Sequence, residues 1–289
     1  MGTVGVRSRA DLCPGVLRPW PAADGLLVRL RLVGGVTSGA QLDSLLTVAE
    51  RFGDGAVHLT GRANLQLRGL PGDGCLSEEL VQAIEATGLL PSRQHELVRN
   101  IVVSPQSGYA GGRANLRPVA AALDRLLVAD PGLSALPGRF LFVLDDGRGD
   151  LLRTRADVGM VALGEDRTQL RIGDGWGPTV DLTSAPAALV DIARAFLAVR
   201  GTGPTAAWHL RETPAIEGFA RFEPHSEVPA PAAPLAHGEV DGGSHHPVPD
   251  GRLTRFGADS LLAEPVLIVT PWRGIFVPTW DEQSRREHP

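Results

Sequence analysis

Hydrophobic and polar positions along this chain alternate between two periods. From Gly25, LLVRLRLVGG alternates at period two, which predicts a strand with Arg29 and Arg31 on one face, ending at Gly34 and Gly35. The next run, AQLDSLLTVAERF, places Leu42, Leu45, Leu46 and Ala49 on one side at helical spacing, with Thr37 or Ser38 available as its cap. Gly53-Asp54-Gly55 turns the chain. VHLTGRANLQLRG then reads as one strand, and SEELVQAIEATG as a second helix closed by Gly88. This order suggests an α+β unit of split βαβ type.

Similar alternation follows. ELVRNIVVSPQSG is an apolar strand with Arg99 and Asn100, PVAAALDRLLVA a helix, and GRFLFVLDDGRGD a strand running into an acidic turn. ADVGMVALG and TQLRIGDGWG suggest a hairpin, and SAPAALVDIARAFLAVRG an amphipathic helix with Pro186 tolerated in its first turn. Residues 213–250 change character: Pro, Ala, His, Gly and Glu dominate, which predicts a linker or mobile loop. Beyond it lies a degenerate echo. GRLTRFGADSLL parallels GGVTSGAQLDSLL, and VLIVTPWRGIFV parallels AVHLTGRANLQL. Each of the latter two segments puts an arginine, Arg62 or Arg273, just beyond a threonine. The expected architecture is α+β. Two ferredoxin-like half-domains, 12–91 and a shortened 251–289, pair into one domain, and a middle α+β domain, 92–212, is inserted between them.

The formal charge of -5 argues against general nucleic-acid binding. No apolar run is long enough for a membrane helix, and the N-terminus lacks the apolar core of a signal peptide, so a cytoplasmic protein is expected. Cys13 and Cys75 make neither a disulfide framework nor a metal site and read as free or structural thiols. His225, His237, His245 and His246 read as flexible-loop histidines, and Asp145, Asp146 and Asp150 as part of a turn. GDGWG lacks the strand-to-helix context of a nucleotide loop. No nucleophile with its base stands out, so any hard chemistry belongs to a cofactor.

The candidate chemistry lies in arginines on or beside strands: Arg29, Arg31, Arg62, Arg68, Arg99 and Arg139. Buried guanidiniums need anionic partners. Internal carboxylates such as Asp24, Asp43 and Asp54 are one answer; a polycarboxylate ligand held by bidentate contacts is the other. Asn64 and Gln66 share a face with Arg62 at period two and can orient a ligand's edge.

Four segments in this order, CPGVLRPWPAADGLLVRLRLVGG, HLTGRANLQLRGL, VRNIVVSPQSG and TPWRGIFVP, resemble the nitrite and sulfite reductase superfamily, and within it the precorrin-3B synthase branch. The resemblance implies two ferredoxin-like halves forming one domain, a middle domain between them and a third domain after them. It implies a tetrapyrrole at the domain junction, siroheme with a small anion in many members. In the precorrin-3B synthase branch of cobalamin biosynthesis the substrate is precorrin-3A, which is hydroxylated with lactone formation using dioxygen and a reductant. By motif, Arg31, Arg62 and Arg99 fall where the family places basic residues, and Asn100 completes the same Arg-Asn pair. Arg139 falls where sulfite reductases carry two nearby lysines; the second position is Leu141 here, which weakens a sulfite or nitrite reductase assignment. The expected tetrapyrrole-binding set is therefore Arg29, Arg31, Arg62, Asn64, Gln66, Arg99, Asn100, Arg139 and Arg273. The family's 4Fe–4S cluster is ligated by four cysteines beyond the second half, and none of the four is present. The chain is thus expected to resemble the first two-thirds of such an enzyme. The expected partners are an anionic tetrapyrrole and a separate iron–sulfur chain or electron donor. A non-catalytic tetrapyrrole carrier is the alternative.

Overall fold

The fold was analysed in a computed structural model, which describes residues 11–213 and 222–279. The first half contains β1 (Trp20–Ala22), β2 (Gly25–Leu30), β3 (Val36–Thr37), α1 (Gly39–Phe52), β4 (Val57–Leu59), β5 (Leu65–Leu70) and α2 (Glu78–Ala86). Helix α1 starts where its cap dictates. Ser38 Oγ accepts from Gln41 N at 3.1 Å, and the Gln41 side chain accepts from Ser38 N at 3.2 Å, a reciprocal capping box. The middle unit holds β6 (Ile101–Val103), α3 (Arg117–Ala129), β7 (Phe142–Asp145), β8 (Val158–Ala162), β9 (Arg167–Ile172), β10 (Gly175–Asp181) and α4 (Ala185–Val199). The second half holds β11 (Gly238–Val240), β12 (Gly243–Pro247), β13 (Arg252–Leu253), α5 (Arg255–Ala258), β14 (Leu267–Val269) and β15 (Gly274–Pro278).

The two halves interlock. One sheet runs β1-β2-β5-β4-β13 and its twin β11-β12-β15-β14-β3, so each half lends a two-residue strand to the other's sheet. A single core follows: Leu42, Leu45 and Leu46 of α1 share a buried cluster with Leu267, Val269 and Ile275 of the second half. The middle sheet, β10-β9-β8-β7-β6, is parallel across β6-β7-β8 and antiparallel across β8-β9-β10. Alternation in β7 divides its faces. Phe142 and Leu144 pack with α3 and α4, while Val143 and the preceding Leu141 pack with Trp272 of the second half.

Two sequence expectations are corrected. The run 57–69 is a hairpin, not one strand, and so is its echo. Thr60 N donates to Asn64 O and Thr270 N to Gly274 O, both at 2.9 Å; the two threonine hydroxyls accept from Asn64 N at 3.1 Å and Gly274 N at 3.2 Å. The positive-φ residues of the two turns are Ala63 (54°) and Arg273 (58°). The structural twin of Arg62 is therefore Trp272, and Arg273 matches Ala63. Segment 213–250 is also more than a linker: 238–247 form the β11–β12 hairpin, with His245 buried and donating to or accepting from Thr270 Oγ1 at 3.0 Å. Its described earlier part is a strap, and both strap and hairpin are tied down by side-chain and backbone hydrogen bonds. Gln169 donates to Glu223 O and accepts from His225 N, Ala232 N donates to Gly149 O, and Gln106 donates to Asp241 O at 2.7 Å. Pro and Ala composition gave no sign of these anchors.

Under the strap, a cavity of ≈ 370 Å³ lies between residues 232–236 and Asp150. Burial, then the charge of Asp145, raises the Asp150 carboxyl to about 7, although Ser104 Oγ donates to it at 2.7 Å. The folded state therefore holds a proton that the unfolded chain releases near 3.8, and stability falls as pH rises from about 4 to 7. Asp150→Asn should be more stable than wild type at pH 8 by a few kcal/mol at most, on the order of the linkage involved, with the gap closing toward pH 4. Urea unfolding at both pH values checks this; a gap that does not change with pH contradicts it.

Candidate ligand-binding site

The first half's sheet, the middle unit and the chain entering β1 enclose a cavity of ≈ 390 Å³ that opens to solvent. Period-two alternation in β2 turns Leu26, Val28 and Leu30 into the core and leaves Leu27 and Arg29 on the cavity face. Gln66 is the cross-strand partner of Arg29 on β5. Arg62 reaches in from the Thr60–Asn64 turn, its Nη1 donating to Arg139 O at 3.1 Å. Arg139 closes the far side with its guanidinium 4.8 Å from the Trp208 ring centroid, and Trp20, 37% exposed, stands at the cavity wall. Cys13 and Pro14 complete that wall.

Among the described residues, the lining side chains include three guanidiniums and no carboxylate. Burial lowers the pKa of Arg29 and Arg62 from the ordinary arginine value, and the neighbouring guanidiniums lower both further. With three guanidiniums in its lining, the cavity carries concentrated positive charge. Asp11 stands just behind, with Oδ1 3.4 Å from Arg139 Nε. Burial, reinforced by Asp11, pushes the Cys13 thiol up and keeps it protonated.

Behind the cavity, Asn100 ties the parts together. Its Oδ1 accepts from Arg31 Nε at 3.1 Å and Asn64 Nδ2 at 3.3 Å; its Nδ2 donates to Leu97 O at 3.1 Å and Gly138 O at 2.9 Å. Both donors and both acceptor positions of the amide are used. Asn64 Oδ1 in turn accepts from Leu32 N. Arg31, 3% exposed, donates Nη1 to Pro14 O and Glu96 O, and burial lowers its pKa to about 10. Gly138 is required here: a Cβ would lie 2.7 Å from Cys13 Cβ and 3.3 Å from both Arg31 Nη2 and Asp11 Oδ2.

The nine expected site residues thus separate. Arg29, Arg62, Gln66 and Arg139 line the cavity. Arg31, Asn64 and Asn100 form the buried support behind it. Arg99 does neither; Nε and Nη2 grip Asp124 of α3 at 2.6 and 2.9 Å. Arg273 is exposed on the second half and outside the cavity. The arginine cradle therefore joins the first half to the middle unit rather than to its twin. Sequence reasoning missed Trp20, Trp208 and Asp11. A tryptophan beside the β1 turn and another 69 residues beyond Arg139 (208 − 139) carry no shared period that would reveal their meeting.

Asn100→Ala should cost about 2–4 kcal/mol, because it leaves buried donors of Arg31 and Asn64 and two carbonyls without their partner. Denaturant unfolding checks this; a loss within the range of an ordinary surface substitution contradicts the supporting role.

Known proteins with related sequences and folds fit this geometry. Residues 21–75 match the family described as the nitrite/sulfite reductase ferredoxin-like half domain. A precorrin-3B synthase from Sinorhizobium sp is 33% identical over 164 residues, 56% of this chain and 34% of that protein. A ferredoxin–nitrite reductase from Synechococcus elongatus is 35% identical over 129 residues, 42% of this chain and 25% of that protein. The chain thus spans about a third or less of the length of these curated relatives. Among solved structures, the Mycobacterium tuberculosis NirA protein superposes with a TM-score of 0.68 at 16% identity, over 96% of this chain and 60% of that one. No helix among the described residues is long and apolar enough to cross a membrane. Residues 21–75 thus carry a nitrite/sulfite reductase ferredoxin-like half domain, and over part of its length the chain is similar to precorrin-3B synthase and ferredoxin–nitrite reductase.

Proposed function

We propose that this chain binds an anionic tetrapyrrole in the arginine-lined cavity and works in precorrin-3B synthase-like oxidoreduction of cobalamin biosynthesis. One observation carries the binding proposal: Arg29, Arg62 and Arg139 converge on a cavity with no lining carboxylate, next to Trp20 and Trp208. Guanidiniums take carboxylates in bidentate fashion, and indole faces take flat conjugated rings. A macrocycle with acidic side chains offers both. The similarity to precorrin-3B synthase over 164 residues supports a precursor of the corrin ring as the substrate class. Leu141 buries an alkyl chain against the second half where sulfite reductases would place a cation, which disfavours reduction of a small anion.

The residues present suit a tetrapyrrole but not a cluster. Among the described residues no group of three or more His, Cys, Asp or Glu converges as metal ligands, and Cys13 is buried in the cavity wall while Cys75 is exposed. An iron–sulfur cluster needs about four thiolates. Cys13 and Cys75 alone do not supply that set. The same donor set favours a second reading, a tetrapyrrole carrier without turnover.

Titration with uroporphyrin III, an octacarboxylate, tests the binding proposal. Arg62→Ala should weaken binding about 10- to 100-fold, the loss of one charge-assisted contact. Arg99→Ala should leave affinity unchanged, because its guanidinium is already held by Asp124. Absence of binding, or equal binding by wild type and Arg62→Ala, contradicts the reading. Turnover of a precorrin substrate with an added iron–sulfur electron donor would favour the oxidoreductase; tetrapyrrole bound without turnover under the same conditions would favour the carrier.

A further inference from the structure

Three of the arginines that the sequence places on or beside strands meet a planar partner edge-on, and the partners differ. Arg68 grips Asp24 through Nε and Nη2 at 3.0 and 3.1 Å. Arg99 grips Asp124 in the same way. Both guanidiniums are thereby neutralised by a carboxylate. Arg29 uses the same two nitrogens on Gln66: with its amide oxygen toward the arginine, Gln66 accepts from Nη2 at 2.7 Å and from Nε at 3.1 Å. Here the partner is an amide, so the fork fixes the guanidinium without cancelling its charge.

The placement gives this difference a function. Arg29 and Gln66 face each other across β2 and β5, and both line the cavity beside Arg62. Once Nε and Nη2 are committed, the remaining amino group of Arg29 is the edge left for a ligand. Arg62 has one nitrogen occupied by Arg139 O, leaving Nε and Nη2 to donate. Arg139, by contrast, already has Asp11 beside it. The uncompensated charge therefore lies at the sheet end of the cavity.

We infer that Gln66 is a positioning and specificity-determining residue: it aims Arg29 at a ligand carboxylate and, being neutral, reserves that charge for the ligand. The inference rests on the anionic ligand proposed above and adds where one of its carboxylates docks, between Arg29, Gln66 and Arg62. A glutamate at this position would complete the same fork seen at Arg68 and Arg99 and turn an anion site into a closed salt bridge.

Uroporphyrin III titrations of wild type, Gln66→Glu and Gln66→Met, at low and high NaCl, test this. Gln66→Glu should weaken binding about tenfold or more at low salt, and that ratio should shrink as salt screens the added charge. Gln66→Met keeps the charge of Arg29 and loses only its orientation, so a smaller loss, little changed by salt, is expected. A purely structural role would make the two variants alike and the ratio insensitive to salt, which overturns the inference. If Gln66→Glu does not fold, Gln66→Met carries the test, and unchanged affinity in it overturns the inference. Wild-type binding with equal binding by Gln66→Glu sinks this inference while the tetrapyrrole reading stands; no wild-type binding sinks both.

Discussion

A guanidinium withdrawn from water must be met by acceptors, and in this protein much of the architecture around the cavity answers that need. Arg31 is nearly fully buried, yet its hydrogen bonds go to backbone carbonyls and to the Asn100 amide rather than to a carboxylate. Asn100 brings the same demand to Asn64 of the first half and to Leu97 and Gly138 of the middle unit. One saturated amide thus fixes the floor on which Arg29 and Arg139 stand. Arg117 repeats the solution elsewhere: its guanidinium, also buried, donates to Gly34 O of the first half and to Ser107 O of the middle unit. Positive charge is fixed in place by neutral acceptors, so its field remains available at the cavity.

The duplicated halves show how little sequence is needed to break that symmetry. Their turns share the bonds Thr60 N to Asn64 O, Ala63 N to Thr60 O and Asn64 N to Thr60 Oγ1 with their counterparts at Thr270, Arg273 and Gly274, and each sheet borrows a strand from the other half. The side chains at matching places differ. Where the first half has Arg62, the second has Trp272, packed on Leu141 and Val143. Where the first half pairs Arg29 with Gln66, the register of the second pairs His245 with Phe276. Burial lowers the pKa of His245, so that position is neutral at physiological pH. One half presents charge to the cavity, and the other uses the corresponding face for packing.

The sequence disclosed what repeats locally. Helices 39–52, 117–129 and 185–199 announce themselves by apolar spacing, while the choice between Thr37 and Ser38 as cap waited on the reciprocal bond of Ser38 with Gln41. Arg29, Arg62, Gln66 and Arg139 were visible as polar groups on or beside strands, and the structure brings them to one cavity. Contacts between distant segments were not visible. Nothing in the spacing of Arg99 reveals Asp124, 25 residues on, and Arg273 looked like the twin of Arg62 because one residue of register separates them. The hairpin at Thr60–Asn64 was hidden because its left-handed residue is Ala63, which carries no turn signal. Strap residues 222–237 read as a linker because backbone groups held by Gln169 and Gly149 leave no mark on composition.

In the proposed reading, Arg29 and Arg62, held by Gln66 and by Arg139 O over a floor tied together by Asn100, form a seat for a flat polyacid. A crystal structure of the chain with uroporphyrin III tests it most directly. The account predicts the macrocycle between Trp20 and Trp208, with one carboxylate held by Arg29, Gln66 and Arg62. A macrocycle bound to the second half, or anywhere outside this cavity, would contradict it.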